Sequence, residues 1–204
     1  EMKSLGFKSV ELEGIREHHL MDMYERRFDI KNKADELGLD IPIYCTVLPG
    51  LASAYANERQ RNLKLFEIGC ETAVVLGASG VLDNAPLPPY QFPKDIPIVR
   101  HYDEDVLFSA RFPKNLNWNN YWKELVATFR QACDIAADNN LSYHMHPCLG
   151  VLSATTDAFL YFQEAVGKTN LRFNLDAANQ FIMKDNLALS LRRLADYIDY
   201  IHIS

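Results

Sequence analysis

Segments that read as strands begin near residues 9, 42, 80, 141, 171 and 200, and a helical pattern follows most of them. The gaps between starts are about 33, 38, 61, 30 and 29 residues. A strand and a helix joined in series every 30 residues or so restrict the chain to parallel strands with right-handed helical crossovers. The strands are K-S-V-E-L-E at 8–13, I-P-I-Y-C-T-V-L at 41–48, G-V-L-D at 80–83, L-S-Y-H-M-H at 141–146, L-R-F-N-L-D at 171–176 and Y-I-H-I-S at 200–204. Helical spacing predicts helices over 15–38, 57–78, about 119–139, 155–167 and 186–198, the first stopped by Gly38 and the fourth by Gly167. The wide gap holds a Pro-rich insertion at about 84–117. Its Ile96, Ile98, Val99, Val106, Leu107 and Phe108 call for burial, so it is expected to be an ordered loop or lid.

Two α/β architectures fit, a doubly wound open sheet and a (β/α)8 TIM barrel. No G-x-G-x-x-G or G-x-x-x-x-G-K-[ST] follows any strand, which weakens the nucleotide-binding open sheet. Ligand-type side chains stand at or near several strand ends: Glu11, Asp83, His144 with His146, Asp176 and His202. A barrel builds its site at that rim from many strands. A complete barrel needs about 250 residues. The 204 residues are therefore expected to form a single domain, 1–204, incomplete at both ends, with the first and last strands outside this chain.

Hydrophobic residues at 48% and charged residues at 24% are the balance of a globular chain, not of a disordered or fibrous one. A net charge of -6 carries no basic footprint for nucleic acid. No apolar run approaches the roughly 20 residues that span a bilayer, and the opening shows no signal-like pattern. A cytoplasmic setting with neither nucleic-acid nor membrane partners is expected. Cys45, Cys70, Cys133 and Cys148 form no C-x-x-C pair and read as fillers of apolar gaps.

In Y-H-M-H-P, His144 and His146 are two apart and share one face of a strand. Asp176 closes the next strand with Asn179 just beyond, and His202 interrupts an otherwise apolar one. Imidazole and carboxylate converging on one rim suit zinc, manganese or cobalt-type ions. Each also has a structural reading. Asp176 could cap the following turn, and His202 could be a satisfied core histidine. His18, His19 and His101 read as solvated. Tyr90, Phe92, Trp118 and Trp122 offer rings for stacking on a sugar, or equally for core and subunit contacts.

The segments G-F-K-S-V-E-L, Y-H-M-H-P, N-L-D-A-A-N and Y-I-H-I-S, in this order, resemble the xylose isomerase-like barrel superfamily of sugar isomerases and epimerases. The resemblance implies a divalent metal (Mn, Zn, Co or Mg) bound by Asp176 and His202. A metal-binding, proton-moving glutamate is implied on the strand of Y-H-M-H-P, and a second on a last strand beyond this chain. His144 stands where the first glutamate is expected, and Asn179 where D-x-x-H would put a histidine. The first departure makes His144 a third metal ligand and moves proton transfer to His146, with histidine titrating near neutral pH. The second departure, with no histidine on the early strands, argues against the trinuclear zinc endonucleases of the superfamily.

The implied activity is a metal-dependent sugar isomerase or epimerase that abstracts a proton next to a carbonyl. Its catalytic residues are expected to be His146 and His144, its metal ligands His144, Asp176 and His202, and its substrate contacts Glu11, Asn179 and Trp118. A lyase acting on a keto-sugar or oxidised glycoside is the alternative, since members that cleave such glycosides use a histidine base. A catalytically inactive barrel serving as a binding subunit is the reading from another class. The expected partner is a small sugar, and a homo-oligomer is compatible with the sequence.

Overall fold

A computed structural model describes residues 1–93, 95–96 and 103–203. Six parallel strands pair in sequence order: β1 Leu12–Ile15, β2 Ile43–Val47, β3 Gly80–Asn84, β4 Ser142–His146, β5 Leu171–Asp176 and β6 Tyr200–His202. Four long helices return the chain between them: α1 Arg16–Leu37, α2 Ala56–Leu76, α4 Trp118–Asp138 and α5 Thr156–Val166, with the short α3 Glu104–Ser109 lying before α4. After β5 the return is made by α6 Ala177–Ile182, α7 Leu187–Arg193 and a 3-10 turn over Ala195–Tyr197.

β1 and β6 stand at opposite edges of the sheet order, yet Glu11 beside β1 and His202 on β6 touch side chain to side chain at 3.0 Å. A flat six-stranded sheet would hold them about 24 Å apart at the usual strand spacing. The sheet is therefore strongly curved, with β1 and β6 facing one another across the concave side. This is the wall of a (β/α)8 barrel, with six of its strands.

Period-two alternation sorts each strand between the two faces. Tyr44, Val81, Tyr143, Met145, Phe173 and Leu175 face the helices, where Leu20, Phe66, Cys70, Phe129, Cys133, Phe159 and Phe162 meet them in one continuous core. The concave face carries a small apolar layer of Ile43, Cys45 and Leu82, packed by Val47 and Tyr200. All four cysteines are free thiols, Cys148 alone being only half-buried.

Several elements differ from the sequence reading. β1 pairs later than 8–13, because Ser9 and Val10 are tied to Asp40 before the ladder with β2 opens at Leu12–Tyr44. The helix expected over 186–198 is shorter, α7 ending at Arg193 with the 3-10 turn after it, and α6 ahead of it was not expected from the sequence. Asp176 and Asn186 each cap a short helix, and Lys184 between them takes the left-handed conformation at φ 60°. In the insertion Val106 is buried as expected, whereas Phe108 is 85% exposed. Ile98, Val99 and His101 lie outside the described residues. His19 is not merely solvated, since its Nδ1 accepts the backbone N–H of Ile15. Among the described residues no helix is long and apolar enough to cross a membrane.

Candidate active site

Strands β4, β5 and β6 end side by side, and their concave-facing end residues are His146, Asp176 and His202. One nitrogen or oxygen from each lies within 4.8 Å of the others, a spacing able to hold a metal ion. His146 Nε2 is 3.1 Å from Asp176 Oδ2, and the two imidazole rings are 5.2 Å apart. Glu11 completes the group through the 3.0 Å contact of its Oε2 with His202 Nε2.

Each imidazole is held between an amide and a carboxylate. His146 Nδ1–H donates to Asn84 Oδ1 at 3.2 Å, which leaves Nε2 of the neutral ring as a lone pair facing the Asp176 carboxylate. In that tautomer a divalent cation can sit between Nε2 and the carboxylate, whereas in the other Nε2–H donates directly to Asp176. Burial pulls the His146 pKa below its usual value, against the Asp176 hydrogen bond, which raises it. The donor set of two imidazoles and a carboxylate suits divalent ions of borderline softness, and the residues present therefore fit the metal that the sequence resemblance implies. On His202, Nδ1 lies 3.0 Å from the side-chain amide of Asn174 while Nε2 faces Glu11, whose hydrogen bond raises the pKa of the ring; with the amide oxygen accepting Nδ1–H, Nε2 has a lone pair to ligate with.

Asp176 divides its two oxygens. Oδ1 accepts the backbone N–H of Asn179 at 2.8 Å and caps α6, while Oδ2 faces His146. The capping reading and the ligand reading of this residue are thus compatible. Burial would lift its carboxyl, but the Asn179 N–H and His146 outweigh it, so the group sits below the usual range and is ionised at neutral pH.

His144 is not in the group. It points to the same concave side as His146 but one layer deeper, 2% exposed, beside the ring of Tyr200. Gly80 makes room for it: a Cβ there would come within 2.7 Å of His144 Nε2. Desolvation lowers its pKa to about 4, and its Nδ1 has no partner among the described residues. The sequence expectation put His144 in the cluster, and the structure brings His146 there instead, because two residues of strand rise carry His144 away from the rim. Asp83 is likewise displaced. It stands one residue before the end of β3, but its side chain faces the helices and accepts the Leu48 N–H at 3.1 Å. Trp118 opens α4 and stacks with Trp122 rather than joining the histidines. Asn179 reaches the site through its backbone contact with Asp176. Asn84 and Asn174 were not singled out from the sequence. The available signal was their placement, each at the end of a strand or two residues before it, on the concave-facing set.

The sequence matches the xylose isomerase-like TIM barrel over residues 1–204. The chain belongs to that family. Among solved structures it is similar to a probable 3-DHS dehydratase involved in petrobactin synthesis from Bacillus anthracis, at 18% identity and a TM-score of 0.72, covering 98% of this chain and 64% of that one. A D-psicose 3-epimerase from Clostridium cellulolyticum H10 with D-tagatose matches at 14% identity and a TM-score of 0.74, covering 100% and 65%. The 3-keto-D-glucoside 4-epimerase from E. coli matches at 18% and 0.74, covering 99% and 70%. No curated protein sequence matches. At such identities the structural likeness shows the shared fold, and the chain spans about 64% of the length of the first of these structures.

Proposed function

We propose that the protein is a divalent-metal-dependent isomerase or epimerase of a keto-sugar, acting by proton transfer at the carbon next to the carbonyl. The carrying observation is the meeting of His146, Asp176 and His202 at the C-terminal ends of adjacent strands, with Glu11 against them. Similarity in fold to the D-psicose 3-epimerase and the 3-keto-D-glucoside 4-epimerase supports a sugar as substrate. His146, Asp176 and His202 would hold the metal. When bound, it polarises the carbonyl and neighbouring hydroxyl oxygens of the sugar.

The chain's own residues do the rest. Asn84 and Asn174 fix the two rings, and Asn179 fixes Asp176 through its backbone. The Glu11 carboxylate, held against His202, would take the proton and return it to the adjacent carbon on the same face, the isomerase outcome, while the epimerase outcome takes a second proton donor on the opposite face. The buried His144, whose protonation is disfavoured and which lies a layer below, is assigned packing rather than proton transfer. A second reading keeps His146 as the base, oriented by Asp176 across their 3.1 Å contact, with the metal on Asp176 and His202.

The protein is incubated in deuterated water with D-fructose, D-tagatose and a 3-keto-D-glucoside. Deuterium should appear at the carbon beside the carbonyl of at least one. Full retention of the original hydrogen during turnover would replace proton transfer by a hydride shift. Asp176→Ala should lose the metal on dialysis, and unchanged metal content would remove the site. Glu11→Gln should keep the metal and lose exchange by about 10²–10⁴-fold. His146→Ala separates the two readings: loss of the metal makes it a ligand, and loss of exchange with the metal retained makes it the base.

A further inference from the structure

Two cavities adjoin on the face where the strands end, between the loop after β2, the loop after β3 and the first turns of α2 and α4. Their volumes are about 360 and 860 Å³, within the range of small-molecule sites, and they share Tyr55 and Gln91. The smaller is walled by Tyr90 and Phe92, whose rings meet edge to face at 5.7 Å. Tyr55 stands at the junction, 59% exposed. The larger is lined by the side-chain amides of Gln91, Asn115 and Asn120 and by an ion pair of Arg59 and Glu124 at 2.8 Å. The Arg59 side chain is only 6% exposed and is also held by the Ser53 carbonyl at 2.9 Å, so the cation of this wall is fixed in place.

The lining selects a ligand class. Charges balance: Arg59 and Lys114 stand against Glu124 and Glu58, so no net field favours an anion or a cation. Amides that both donate and accept match hydroxyl groups, and exposed phenol and phenyl rings match the apolar faces of pyranose rings. The place is also within reach of the histidine cluster. Asn84 touches His146, and Leu87, which lines the smaller cavity, is three residues further on. Three residues span at most about 11 Å, the length of a glycosidically linked pair of rings.

We infer that these cavities form a second sugar subsite, so that the substrate is a glycoside or disaccharide whose non-reacting ring sits against Tyr55, Gln91 and Asn120. This rests on the proposed keto-sugar chemistry for the placement of the reacting ring. The subsite itself can be read without that chemistry.

Binding of cellobiose, maltose, sucrose and trehalose is compared with that of glucose by calorimetry and saturation-transfer NMR, on metal-chelated protein. At least one disaccharide should bind about tenfold more tightly than glucose. Tyr55→Ala and Asn120→Ala should bring that ratio close to one at an unchanged melting temperature. Equal affinities throughout, a ratio that survives both variants, or displacement of the disaccharide by millimolar inorganic phosphate would each overturn the subsite. Because the metal is removed, a failure here is separate from failure of deuterium exchange, which tests the reaction alone.

Discussion

At the scale of single residues, the two faces of the sheet show how placement governs chemistry. His146 and Asp83 both stand near strand ends, but His146 faces the concave side and Asp83 the helices. Desolvation pushes the Asp83 carboxyl up to about 8, against the backbone N–H groups of Leu48 and Asn84, which lower it. The folded chain therefore keeps a proton that the unfolded chain releases near 3.8. The associated stability is complete below that value and is lost as pH rises through about 8. Asp83→Asn keeps an acceptor for Leu48 and removes the titration. Between pH 6 and 9 the melting temperature of the native protein should fall relative to the variant, by on the order of 2–4 °C or more. Parallel curves would show that Asp83 does not titrate in this range.

At the scale of elements, short apolar runs spaced between helical patterns and turn signals made β2 to β5 legible, and Gly38 and Gly167 marked helix ends. The short α6 was not legible, because its six residues hold too little helical periodicity to read and its Phe181 and Ile182 are exposed. Gly14 in β1 was likewise silent in the sequence. A Cβ there would lie 2.0 Å from the Tyr44 hydroxyl and 3.1 Å from the Leu20 backbone, so β1, β2 and the first turns of α1 meet at a point that admits no side chain. Gly14→Ala should cost about 1–3 kcal/mol, seen as a lower urea midpoint at unchanged slope. An unaltered midpoint would mean that the α1–β1 junction yields.

At the scale of the whole molecule, the helix-facing core is one continuous body, and Phe129 sits in it, 1% exposed, stacked 6.1 Å from Tyr143 and edge-on at 5.3 Å to Phe162. Phe129→Ala should remove about 3–5 kcal/mol in a single cooperative transition. A second, separate transition would show that the strands on either side of β4 unfold independently. What the sequence determined by itself was periodic: strand and helix every 30 residues or so, parallel order, and the residue types at the strand ends, because these follow from the local repeat of side-chain direction. Which of those residues meet was decided only by the tertiary structure. His144 and His146 are equivalent in alternation, and the rise along the strand separates them. Glu11 and His202, 191 positions apart, meet because the sheet curves, and curvature is a sum over strand pairs that no local pattern records.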